Sequence, residues 1–164
     1  MRIGTLAGIA TLLLALPAAG LGPLQAQQQQ APPAPRITLE EAKRAMDAAE
    51  AEARRNGWNL AFVITDAQGT PIYVRRMDGV PTRNYEIAMN KTRTSITSGM
   101  HMVDYAAAVR AGRIQPIEGA VTFEGGYLLR RDGQLLGAFS ASGARGSEDA
   151  QAVRAGMAVI GIQP

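Results

Sequence analysis

Leu39, Ala42, Met46, Ala49 and Ala53 recur at steps of three and four residues, the spacing of one apolar stripe on an amphipathic helix. Thr38-Leu39-Glu40-Glu41 opens that stretch as a capping box. The Thr38 hydroxyl accepts from the Glu41 backbone N–H, and the Glu41 carboxylate reaches back to Thr38. Asn56-Gly57 is the stop, with glycine free to take the left-handed conformation that ends helices. The period then changes. Leu60 to Ile64 is continuously apolar, as a fully buried strand requires. Asp66-Ala67-Gln68-Gly69 is a turn, and Thr70 to Met77 is the partner strand. Its Ile72 and Val74 fall on one face and Tyr73 and Arg75 on the other.

Asn84 to Ser98 reads as a second helix with Tyr85, Ala88, Met89, Thr92 and Ile96 inward and Lys91 and Arg93 flanking. Its Thr and Ser content lowers helix propensity, so tertiary packing has to support it. A shorter helix runs from Met102 or Val103 to Ala111, closed by Gly112. Arg113 to Gly119 is a loop, and Ala120 to Phe123 is expected as a short strand. Tyr127 to Arg131 and Gln134 to Ala141 form a second hairpin across Asp132-Gly133. Ser147 is expected to cap a last helix whose stripe is Ala150, Val153, Met157 and Ile160. Strands joined by hairpins argue for an antiparallel sheet with helices packed on it, an α+β fold. A doubly wound parallel sheet needs a crossover between successive strands, and none separates these pairs.

The N-terminal residues do not fit that pattern. Arg2 precedes an apolar run from Ile3 to Leu16, which reads as a secretory signal and is short for a membrane span. Pro17-Ala18-Ala19-Gly20 and Leu24-Gln25-Ala26 offer small-residue cleavage sites. The expected division is a signal over 1–26, a Gln/Pro-rich leader over 27–36 and one domain over 37–164. The product is then periplasmic or secreted, with no stable membrane insertion after cleavage. A domain of that length can hold one core. The chain has no Cys, which removes disulfides, thiol catalysis, thiolate metal sites and a lipoprotein anchor together.

Seventeen Lys and Arg stand against fourteen Asp and Glu, and aromatic residues make up only 5% of the chain. The signs alternate and no basic block is long, so nucleic acid is not an expected partner.

Candidate chemistry is sparse. His101 is the only histidine. One imidazole cannot build a structural zinc site, but it can be an axial metal ligand to haem iron, because the porphyrin supplies the other nitrogens. Met100, Met102 and Tyr105 lie beside it in sequence and suit a flat apolar ligand. Arg75-Arg76-Met77-Asp78 can pair internally or grip a carboxylate, with Lys91 and Arg93 adding charge from the next helix. Ser142 to Asp149 joins a strand to a helix start, where backbone N–H groups favour an anion. It lacks the Lys-Ser/Thr ending of a phosphate-binding loop, and Glu148 and Asp149 already occupy the positive end of the helix. Ser140, Ser142 and Ser147 with His101 leave a nucleophilic triad open. Glu118 with Glu124, or Asp104 with Glu118, are the acid–base carboxylate pairs, against the plainer reading of solvated helix faces.

Val63 to Gly69, Arg76-Met77-Asp78-Gly79 and Ile87 to Thr94 stand in that order. Gly125-Gly126, Asp132-Gly133, Gly137-Ala138, Ser142-Gly143, Glu148-Asp149 and Arg154-Ala155-Gly156 follow. Together they resemble the GlcG/HbpS-like family, also described as haem-degrading or domain-of-unknown-function 336 proteins, over about residues 37 to 161. The resemblance implies a profilin-like α/β sandwich in which an antiparallel sheet is packed with helices. It implies a homo-oligomer, from dimer to octamer, and for secreted members a haem-binding accessory role beside a sensor protein. Lys91 matches the family's helix lysine, and Asp78 and Asp149 match with turn- and helix-capping roles. The first helix of this chain carries no His, so His101, in the loop after the Lys-bearing helix, stands as the donor by region.

The sequence therefore leads to an exported small-ligand-binding domain with haem as the cofactor. Its binding set is His101, Met100, Met102, Lys91, Arg76 and Tyr105, with His101 on the metal. An enzyme acting on a small organic acid and a cofactor-free accessory module for a sensor or transport partner are the alternatives.

Overall fold

The computed structural model describes residues 35–164. The expected signal and most of the leader lie outside the described residues. The order is α1 (Leu39–Arg55), β1 (Ala61–Asp66), β2 (Pro71–Arg76), α2 (Thr82–Ser98), α3 (Met102–Arg110), β3 (Gly126–Arg131), β4 (Gln134–Ser142) and α4 (Gly146–Ala158). The four strands form one antiparallel sheet in the order β2-β1-β4-β3. The two hairpins meet along β1 and β4, where Phe62 stands opposite Ala141 and Ile64 opposite Phe139.

Side-chain alternation along the strands divides the core between two faces. Phe62, Ile64, Phe139, Ala141, Tyr127 and Leu129 belong to the main core with the α1 and α4 stripes. Val63 instead packs on Ala88 and Met89 of α2. The helices thus cover both sides of the sheet, and the α+β expectation holds. α1 presents Ala42, Ala45, Met46, Ala49 and Ala53 inward. The four alanines let it lie against α4. Leu39, expected in that stripe, is half exposed at the first helical position.

The capping box forms as read: the Glu41 N–H donates to Thr38 Oγ1 at 3.1 Å, and the Thr38 N–H donates to Glu41 Oε2 at 2.9 Å. In the first hairpin turn, Asp66 Oδ1 accepts from the backbone N–H groups of Gln68 and Thr70. In the second, Asp132 and Gly133 both have positive φ, the conformation that matches a two-residue turn to strand twist.

Four local expectations change. α2 begins at Thr82 behind Pro81 rather than at Asn84. Ile96 is only partly buried. Ala120 to Phe123 forms no strand. Asn90 takes that backbone instead, accepting from the Val121 N–H at 2.9 Å and donating to the Gly119 carbonyl at 2.7 Å. Ser147 is not the cap of α4, because the helix already starts at Gly146 and Arg145 occupies the cap position, two residues earlier. The Glu148 carboxylate accepts from the Arg145 N–H there at 3.0 Å.

Candidate functional site

Lys91 stands in the middle of α2 and Asp149 in the first turn of α4. The two helices approach the sheet from opposite faces, and the pair meets at the end of β4. Lys91 Nζ donates to Asp149 Oδ2 and to the Ala141 carbonyl, both at 2.8 Å. Asp149 Oδ1 accepts from the Ala144 N–H at 3.1 Å. The side chains are 1% and 2% exposed, so the ion pair sits in low dielectric and depends on its hydrogen bonds to offset lost hydration. Burial pushes the Lys91 ammonium down, against the attraction of Asp149. Burial likewise pushes the Asp149 carboxyl up, against Lys91 and the Ala144 N–H. Each partner is therefore biased toward its neutral form and held charged by the other.

Gly125 makes this geometry possible. Its φ is +98°, and a Cβ built there would lie 2.5 Å from Asp149 Cβ and 2.8 Å from Lys91 Nζ. Only glycine lets the chain lie so close over the pair.

The pair forms the floor of a cleft of about 410 Å³. Arg83, Asn84 and Ile87 of α2 make one wall, and Ser142, Ala144 and Gly146 at the β4–α4 junction make the other. Phe123, 57% exposed, stands at the mouth. Ser142 is 6% exposed, and its hydroxyl makes no hydrogen bond among the described residues.

The expected binding set does not converge on one place. Lys91 lines the cleft, but it is a buried structural cation rather than a flanking one. His101 lies at the free edge of β3, where its Nδ1 accepts from the Leu128 backbone N–H at 3.1 Å. Its ring stands 5.2 Å from that of Tyr127. Burial pushes the imidazole down; Asp104 opposes this and Arg130 adds to it. Met102 is fully buried behind Gly126, while Met100 is partly exposed before α3. The Tyr105 hydroxyl accepts from the Ile117 N–H at 2.8 Å, tying down the loop after α3. Arg76 donates to the Val80 carbonyl and to Thr82 Oγ1, fixing the turn into α2. Arg75 pairs with Asp47 and Glu50 of α1.

The triad does not assemble either. Ser140 Oγ donates to the Ala88 carbonyl at 2.7 Å, and His101 is not among the residues lining the cleft beside Ser142. Asp149, read as a helix cap, serves mainly as the partner of Lys91. Sequence reasoning passed over Ser142, Arg83, Ile87 and Phe123 as one group. The available signal was helical spacing: Arg83, Ile87 and Lys91 recur at four-residue steps on one side of α2.

Among the described residues, no group of three or more His, Cys, Asp or Glu converges as a metal site. No described helix is long and apolar enough to cross a membrane.

Comparison with known proteins gives the same family as the residue patterns. The chain is 29% identical over 97 residues to Protein GlcG of Escherichia coli K12, covering 58% of this chain and 72% of that protein. It is similar to the crystal structure of HbpS with a TM-score of 0.72 and 28% identity, covering 83% of this chain and 98% of that one. A structure described as a PduOC:heme complex matches with a TM-score of 0.72 and 25% identity, covering 79% of this chain and 98% of that one. The family profile described as haem degrading protein HbpS-like matches residues 37–158, and this chain belongs to that family.

Proposed function

We propose that this protein is an exported binding domain whose small-molecule ligand sits in the cleft above the Lys91–Asp149 pair. The observation that carries the reading is the cleft itself: an open space of about 410 Å³ over a buried ionic floor, lined by apolar Ile87 and Phe123 and by polar Arg83 and Ser142. Binding sites combine apolar walls with a few fixed polar groups in this way. The organic-acid enzyme is the weaker use of the same cleft, because Ser142 has no imidazole beside it to act as a base.

Haem is the second reading, favoured by the similarity to the PduOC:heme complex. The described residues of one chain do not fit it. The cleft lining contains no His, Met or Tyr to reach the iron. His101 spends the Nδ1 lone pair on the Leu128 N–H, which places the proton of the neutral ring on Nε2. An axial bond needs a free lone pair there, so ligation would require the ring to exchange its proton and give up the β3 contact. A haem site in this protein therefore draws on surfaces brought together in an oligomer, the assembly that the family resemblance implies.

Titration with haemin, followed by the Soret band in the natural protein and in His101→Ala, tests the choice. The cleft reading expects no saturating Soret shift in either protein. A saturating one-to-one Soret shift that His101→Ala abolishes would overturn it and make haem ligation by His101 the function.

A further inference from the structure

We infer that the ligand of the cleft is a monocarboxylate with an apolar body, an assignment that rests on the cleft being the ligand seat. Among the described residues, Asp149 is the only carboxylate lining the cleft, and Lys91 and the Ala144 N–H already neutralise it. Arg83 lines the same space, and its guanidinium makes no ion pair or hydrogen bond among the described residues. The unpaired charge of the lining is therefore positive. A guanidinium presents paired N–H donors that match the two oxygens of a carboxylate.

Two further groups point the same way. Ser142 is more than nine-tenths buried, lines the cleft and leaves its hydroxyl without a protein partner. Its oxygen is not among the buried polar atoms left without a partner, so it opens onto the cleft and is free to exchange water for a ligand atom. Gly146 opens α4 on the same wall. Among the described residues neither its N–H nor that of Ser147 has an acceptor. The first-turn N–H groups of a helix of this length favour negative charge. Glu148 holds the Arg145 N–H and leaves those two free. Glu124 stands near Gly146 and contributes an opposing field at that side of the cleft, which weighs against a ligand carrying more than one negative charge.

The remaining lining is apolar. Ile87 and the exposed ring of Phe123 supply apolar surface to the same cleft. A phosphate monoester carries close to two negative charges and would want more than one free cation. A carboxylate head at Ser142, Arg83 and the α4 start, with an aromatic or branched aliphatic body on Ile87 and Phe123, uses every part of the lining.

The test is calorimetric titration of the whole protein with phenylacetate and with phenylacetamide, its uncharged analogue. Saturable binding of phenylacetate, about tenfold tighter than the amide, is expected. Ser142→Ala and Arg83→Met should each weaken phenylacetate several-fold, and Arg83→Met, which removes the cation, should weaken the amide by less. Equal affinity for the two compounds would overturn the carboxylate assignment while leaving the cleft as a ligand seat. Failure of phenylacetate to bind, with neutral compounds shifting the backbone amides of Ile87 and Ser142, would do the same. If no compound of either kind moves those amides, the cleft reading falls together with the carboxylate.

Discussion

Lys91 and Asp149 lie 58 residues apart in sequence and 2.8 Å apart in space, both almost completely withdrawn from solvent. The contact ties the helix on one face of the sheet to the helix on the other, passing the end of β4. A buried pair of this kind adds less to stability than its Coulomb attraction suggests, yet removing one partner strands a charge in low dielectric. Lys91→Met should therefore cost about 3–5 kcal/mol of unfolding free energy. The double variant Lys91→Met/Asp149→Leu should recover most of that loss. Urea unfolding of the three proteins checks this, and a double variant as unstable as the single one would contradict it.

Gly125 is the steric counterpart of the pair. Gly125→Ala forces a side chain into a left-handed backbone position and against both Asp149 and Lys91. The expected loss is about 2–3 kcal/mol, read as a lower midpoint in the same unfolding experiment. A change below half of that would show that the loop relaxes away from the pair.

His101 predicts a pH dependence with a definite sign. Burial lowers its pKa in the folded protein, and a protonated Nδ1 would face the Leu128 N–H donor to donor. A depressed folded pKa means that stability is complete above the unfolded value of about 6.5 and is lost as pH falls through the folded value. Unfolding free energy should decline from near that pH downward, and His101→Asn should flatten the decline. Parallel pH profiles for the two proteins would remove His101 as the cause.

Tyr105 was expected near a ligand, but its hydroxyl holds the loop at Ile117. Tyr105→Phe should cost about 1 kcal/mol and speed hydrogen exchange at the Ile117 amide. Unchanged exchange there would mean that the loop is held by other contacts.

Much of the fold was legible in short-range patterns. The Thr38–Glu41 box, the two turns at Asp66–Gly69 and Asp132-Gly133, and the stripe from Ala42 to Ala53 each depend on residues close in sequence. The pairing of β1 with β4 was not legible, because no local signal records which edges of two hairpins meet. The site was obscured for a related reason. Lys91 reads as a flanking charge because its partner belongs to another helix, and the stripe it shares with Ala88, Thr92 and Ser95 is weakly apolar. His101 drew attention as the sole imidazole, while the structure uses it at a strand edge.

The most direct test of the ligand seat is a backbone-amide NMR map of the protein, recorded against a small set of neutral and carboxylate fragments. Saturable shifts are expected at Ile87, Phe123, Ser142 and Ala144, with the amides of His101 and Leu128 unmoved. Shifts centred on His101, Leu128 and Tyr127, with the residues above Lys91 and Asp149 silent, would contradict it.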